Sequence, residues 1–253
     1  MDFALETMLE AGVNEVVVNV HAHSAKMREH LSARPAGRPG IVISDESKLL
    51  LGSAGGFRQA LPLLGKGPFY AMNADVFHVA PLRQLAERHD ELRRTRGVVM
   101  TLVLVSGKTL DEQGGEYREI HGNDATGLIE GFGVKKNRTP FYSGTAIFEP
   151  EAFSHLPLGS PSEFVPEVLE PAIRAGKVGF LHSDALWLDL GSPELWYRAE
   201  HRIREALAAG ALPERLIRFL KASDPGFGGR FELGKNRIRL DDVDHEIKDL
   251  RNP

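Results

Sequence analysis

Two neighbouring stretches decide the fold of this chain: Leu51-Gly52-Ser53-Ala54-Gly55-Gly56-Phe57-Arg58-Gln59-Ala60-Leu61 and, shortly after it, Phe69-Tyr70-Ala71-Met72-Asn73-Ala74-Asp75. The first reads as a glycine-rich turn running into a helix. The second reads as a short apolar strand that ends on a polar residue and a carboxylate. Glycines let the backbone approach a flat ring or a phosphate closely, and a helix N-terminus offers N–H groups to an anion. In open α/β sheets ligands bind beyond the carboxyl ends of the strands, where Asp75 falls. A tight strand-to-helix turn accounts for the glycines equally well, and a turn or cap role accounts for Asp75.

Working outward, the same alternation recurs. Phe3, Leu5, Met8 and Leu9 stand at helical spacing, and Gly12 stops them. Glu15 to Val20 is a valine-rich strand of the kind buried on both faces. Ser24 is the expected cap of a helix over 25–33, and Ile41 to Ile43 is a short strand. Residues 81–94 form an amphipathic helix with Leu82, Leu85 and Leu92 on one side, and 98–105 an apolar strand. Alternating strands and helices argue an α/β fold with a mostly parallel mixed sheet.

The second half is less regular. Residues 107–124 are polar and glycine-rich, a loop or weak hairpin. Strands are expected over 128–132 and 141–148, separated by Lys135-Lys136-Asn137-Arg138-Thr139. The run 162–175 is helical by period, with a kink expected at Pro171. Two more strands follow over 178–181 and 186–190, so Asp189 is a second carboxylate at a strand end. Ser192-Pro193-Glu194 opens a long helix: a good N-cap, a proline at the first helical position and an acid at the positive end of the dipole. Residues 1–221 read as one domain and 222–253 as an unassigned tail, with a hairpin expected over 230–240.

Composition narrows the function. The 253 residues are 42% hydrophobic, with 26 Gly and 15 Pro dispersed along the chain, which is globular usage. No cysteine is present, which excludes disulfides, thiolate metal sites and a cysteine nucleophile, and fits a reducing, cytoplasmic compartment. A net charge of −4 gives no basic field for nucleic acid, and no apolar run reaches membrane-span length. His21 and His23 imply no third metal ligand, and Trp187, Trp196 and Tyr197 read as packing. Asp75 and Asp189 together are a hard-oxygen pair suited to Mg²⁺ shared with substrate phosphates. Lys135 is either an anion-holding point charge or a solvated loop residue.

Taken in order, Leu51 to Gly56, Phe69 to Asp75, Gly131-Phe132-Gly133-Val134-Lys135, Phe141-Tyr142-Ser143-Gly144 and Trp187-Leu188-Asp189-Leu190-Gly191-Ser192-Pro193 resemble the sugar-1-phosphate nucleotidyltransferases. The closest look is to the branch containing N-acetylmuramate-1-phosphate uridylyltransferase and mannose-1-phosphate guanylyltransferase-like proteins. The resemblance runs over about residues 1–210. It implies a Rossmann-like nucleotidyltransferase domain, a nucleoside triphosphate (UTP or GTP) and a sugar 1-phosphate as substrates, and a role in cell wall or polysaccharide biosynthesis. It implies Asp75 and Asp189 as Mg²⁺ ligands and, with Lys135 on the sugar phosphate, as the catalytic set. Gly52, Gly55, Gly56 and Asn73 would meet the nucleotide, and Tyr142, Ser143 and Gly144 the sugar. The chain differs from the family's pattern in four places. The family's first strand and triphosphate-gripping glycine loop, about 20–30 residues at common element lengths, are expected to be missing. Val134 stands for a Glu, Lys136 for a Pro and Ala74 for a Gly. Little turnover is therefore expected of the chain as it stands. The alternative is a catalytically impaired relative that binds a nucleotide or nucleotide sugar.

Overall fold

Valines 16, 17, 18 and 20 build β1 (Glu15–Val20), which pairs in parallel with β2 (Gly40–Asp45), Val17 opposite Val42 and Val18 opposite Ile43. The computed structural model describes residues 1–34, 40–106, 117–133 and 140–223. Between the two strands lies α2 (Ser24–Ser32). Ser24 is not its cap but its first residue. His23 takes the N-cap place with φ 53° and makes no side-chain cap bond. Leu5 and Met8 of α1 (Asp2–Glu10) share one apolar cluster with Val16 and Leu31.

The larger sheet has six strands in the order β3 (Phe69–Met72), β8 (Phe141–Phe148), β5 (Met100–Val105), β9 (Val178–Ser183), β7 (Leu128–Phe132) and β6 (Ile120–Asn123). β4 (Val76–His78) and β10 (Trp187–Asp189) form a separate pair. The class is the expected Rossmann-like α/β, and the sheet is mixed. The parallel majority does not extend to neighbours within it. β5 and β9 are parallel, but β8 runs against both β3 and β5, and β7 against β6 and β9. The alternation rule counts strands joined by helices, and β6, β7 and β8 follow one another with no helix among their described residues.

Both faces of this sheet are covered. α3 (Gly52–Leu64) stacks Phe57 on Phe153 of the short α5 (Glu151–Ser154) and sets it edge-on against Phe148. On the other face α4 (Leu82–Arg96) packs Leu82 and Leu85 in a cluster with Val103 and Ile147. His89 of α4 is buried between Thr101, at 2.9 Å, and Glu149, at 3.2 Å. The stretch expected to kink at Pro171 becomes a π-helical turn (Val165–Leu169) followed by α6 (Glu170–Arg174). Pro171 has no N–H for the Glu167 carbonyl four residues back. His155 Nε2 donates to that carbonyl instead, at 3.1 Å.

The chain divides into two compact units, Met1–Leu188 and Asp189–Pro253. In the second, α7 (Pro193–Ala208) opens as its sequence predicts, with Ser192 Oγ accepting from the Leu195 N–H at 3.2 Å. Glu194–Arg198 and Glu200–Arg204 pair along its surface. A further helix, α8 (Glu214–Ser223), buries Leu216 and Leu220 one turn apart. The hairpin expected over 230–240 lies outside the described residues, as do residues 224–253 of the expected tail. Among the described residues no helix is long and apolar enough to cross a membrane.

Candidate functional site

The glycine-rich stretch is not a turn before a helix. It is the first turns of α3 itself, which begins at Gly52. Its glycines face two ways. A Cβ on Gly52 would lie 2.8 Å from the Ser162 carbonyl oxygen, and one on Gly55 2.8 Å from that of Ser160. These two let α3 lie directly on the backbone of 160–163. The contact uses the helix end: the N–H groups of Ala54 and Gly55 donate to Ser162 O at 2.9 and 3.2 Å. Two of the expected free N–H groups at this terminus are thus already taken, by a neighbouring carbonyl.

Gly56 looks the other way. A Cβ there would stand 2.6 Å from Asn19 Nδ2 and 2.7 Å from Glu46 Oε1. Glu46, just past β2, is 3% exposed. Its Oε2 accepts from the Leu51 N–H at 3.0 Å, and its Oε1 is buried without a hydrogen-bond partner among the described residues. Ser44 Oγ, opposite Asn19 in the β1–β2 ladder, is in the same condition. His21 Nδ1 donates to the Glu46 carbonyl at 2.7 Å, which gives that histidine a local partner. The sequence reading missed Glu46 and Asn19. Their signal was faint: a polar residue near the C-terminal end of each strand that precedes the glycines.

The second element is a bulge in β8. Leu102 pairs with Ala146 but Leu104 with Tyr142, so β8 spends two extra residues around Gly144, whose φ is +79°. Four hydrogen bonds hold the bulge. The Asn73 N–H donates to Gly144 O at 2.9 Å, and the Thr145 N–H to Ser143 Oγ at 3.1 Å. Trp187 Nε1 donates to Ser143 O at 2.8 Å, and His78 Nδ1 lies 2.9 Å from Thr145 Oγ1. Bulges beside a ligand site re-aim side chains. Here the bulge brings the bare Cα of Gly144 against the Asn73 amide, where a Cβ would stand 2.7 Å from it. Tyr142 joins the α3-side cluster with Phe164, and burial raises its phenol pKa. Ser143 is 1% exposed and serves the framework through its oxygens. Burial lowers the pKa of His78 to about 4, so it is neutral at pH 7.

Asn73 and Asp75 are both exposed, between β3 and β4. Asp189 ends β10, and its Oδ1 accepts from the Gly191 N–H at 2.7 Å. Lys135 lies outside the described residues. No cluster of three or more His, Cys, Asp or Glu able to hold a metal occurs among the described residues. Asp75 and Asp189 are each hard-oxygen donors of the kind Mg²⁺ prefers.

Residues 1–206 match the family model for nucleotidyl transferases. The chain belongs to that family. This bears out the resemblance to sugar-1-phosphate nucleotidyltransferases and the enzyme class with it. The N-acetylmuramate alpha-1-phosphate uridylyltransferase of Caulobacter vibrioides is 30% identical over 212 residues, 81% of this chain and 84% of that protein. The mannose-1-phosphate guanylyltransferase catalytic subunit beta of Drosophila melanogaster is 24% identical over 197 residues, 75% of this chain and 50% of that protein. Among solved structures, HddC from Yersinia pseudotuberculosis complexed with GMP-PN superposes with a TM-score of 0.63. That match covers 79% of this chain and 84% of HddC at 16% identity, and it speaks to the fold.

Proposed function

We propose that this chain joins a nucleoside triphosphate, UTP or GTP, to a sugar 1-phosphate, giving a nucleotide sugar and pyrophosphate. The observation that carries the reading is the surface of α3 at Gly56. A bare Cα lies between an exposed amide, Asn19, and a buried carboxylate oxygen, Glu46 Oε1, that lacks a donor among the described residues. A flat base laid on Gly56 supplies that donor from a ring N–H, and both uracil and guanine carry one. Gly52 and Gly55 serve the same surface indirectly, by seating α3 on 160–163. Asn73 would meet the nucleotide, and Gly144, which packs against it, would face the sugar with Tyr142 and Ser143, the last held by Trp187.

The reaction needs little covalent work from the protein. A phosphate oxygen of the sugar 1-phosphate, already anionic, attacks the α-phosphorus in line, and pyrophosphate departs. Positioning and charge neutralisation supply the acceleration. Asp75 and Asp189 are the carboxylates that would hold Mg²⁺, which when bound neutralises phosphate charge. Lys135 is the proposed cation for the sugar phosphate. A cytoplasmic setting, in cell wall or polysaccharide synthesis, goes with this reading.

One observation favours a second reading, binding without turnover: two N–H groups in the first turn of α3, those of Ala54 and Gly55, are already taken by Ser162 O, which reduces what this helix end offers a phosphate. Calorimetry with UTP, GTP and nucleotide sugars, run beside a pyrophosphate-release assay with Mg²⁺, separates the two. Release that Asp75→Asn and Asp189→Asn each abolish supports the transferase. Release untouched by both changes removes the metal assignment. Binding heat with release at background supports the second reading.

A further inference from the structure

Glu119 is the most conspicuous acidic group outside the residues named so far. It is 8% exposed, and its one side-chain partner among the described residues is His121, whose Nε2 stands 3.4 Å from Oε1. That is longer than a good hydrogen bond, and His121 is itself more than half exposed. An ionised carboxylate accepts several hydrogen bonds and donates none, and the long contact to His121 uses only part of that capacity. Its position is fixed from both sides. The Gly133 N–H donates to the Glu119 carbonyl at 3.1 Å, and Glu119 forms an antiparallel bridge with Phe141. It therefore lies between Gly133 and the start of β8, one residue from Tyr142.

Gly133 is shaped to this group. A Cβ there would overlap the Glu119 carboxylate and stand 2.6 Å from His121 Nε2. Beside it Tyr117 stacks on Phe141, with ring centroids 4.8 Å apart, and meets Trp187 edge-on.

We propose that Glu119 is a specificity-determining residue of the sugar subsite, its carboxylate accepting hydrogen bonds from hydroxyl groups of the sugar. The inference rests on the transferase reading for its sugar ligand. The chemistry selects the partner. A phosphate is repelled by the carboxylate, whereas neutral hydroxyls donate to it without adding charge. His121 then steadies one carboxylate oxygen and leaves the other for the ligand.

The test uses the full chain, Glu119→Gln and Gly133→Ala, each first shown to keep a wild-type melting profile. Calorimetry with Mg²⁺ uses UTP and GTP, then glucose 1-phosphate, mannose 1-phosphate, N-acetylglucosamine 1-phosphate and the matching nucleotide sugars. Glu119→Gln keeps the shape and removes the charge, so sugar-bearing ligands should bind about ten- to a hundredfold more weakly. UTP and GTP should bind within about twofold of wild type. The singly deoxygenated analogue that lacks the contacted hydroxyl should lose almost nothing further in the variant. Gly133→Ala should reproduce the selective loss by displacing the carboxylate. An equal loss for triphosphates and sugars overturns the proposal, as does no loss or the same loss on every deoxy analogue. Sugar phosphate binding that depends on Glu119 with no nucleotide binding would keep this proposal and refute the transferase reading. Nucleotide binding with no effect of Glu119 would do the reverse, and binding of no ligand refutes both.

Discussion

His78 offers a stability test that reaches the site from behind. It is 1% exposed on β4, and burial lowers its pKa to about 4, against about 6.5 for a free imidazole. The folded-state pKa is depressed, so between those values the unfolded chain holds the extra proton. Stability from this group is therefore full above about pH 6.5 and is lost as pH falls toward 4. Taking both pKa values through the linkage relation, moving from pH 7 to pH 5 costs about 2 kcal/mol. The perturbation is His78→Leu together with Thr145→Val, which removes both ends of the 2.9 Å hydrogen bond and leaves no orphan. Urea unfolding of both proteins at the two pH values isolates the term. His89, whose pKa burial also lowers, titrates in both proteins and cancels in the difference. Wild type should lose about 2 kcal/mol more than the double variant on acidification. Equal pH dependence in the two would refute the argument that His78 is held neutral.

Three further outcomes are expected. Gly144→Ala places a Cβ at φ +79° and 2.7 Å from the Asn73 amide, so urea unfolding should show a loss of about 1–2 kcal/mol from backbone strain alone. Nucleotide sugar binding should weaken with it, and a wild-type melt would mean the bulge relaxes freely. Glu46→Ala strips the acceptor from the Leu51 N–H and from the proposed base, which should cost about 1–3 kcal/mol of stability and at least tenfold in UTP or GTP affinity by calorimetry. Ser192→Ala removes the α7 cap and should cost about 1 kcal/mol, read as faster amide exchange at Leu195 and its neighbours.

Strands such as β1, β5 and β8 were legible because runs of β-branched and large apolar residues admit few other readings. α4 was legible from its leucine spacing, and α7 from Ser192-Pro193-Glu194. β4 was missed because Val76 to His78 is too short to show a period, and β6 stays undecided between loop and weak hairpin in the sequence because Gly122 and Asn123 hide the strand. The glycines were singled out correctly as places of close approach, but no residue pattern says which surface each one approaches. Gly52 and Gly55 meet the backbone of 160–163, more than a hundred positions along the chain. The kink at Pro171 was foreseeable from its missing N–H. That His155 would satisfy the freed carbonyl was not.

The amino-acid sequence by itself determined the α/β class, the order of the elements and the family, because these depend on local periodicity and on motifs that keep their order. Only the tertiary structure decided which polar groups are buried and which partners each one keeps. Glu46 and Glu119 are ordinary acids in the sequence. Glu46 keeps one buried oxygen without a donor once β2 and α3 close on it, and Glu119 becomes a largely buried acid beside Gly133 and Phe141, because the cost of a carboxylate depends on what surrounds it.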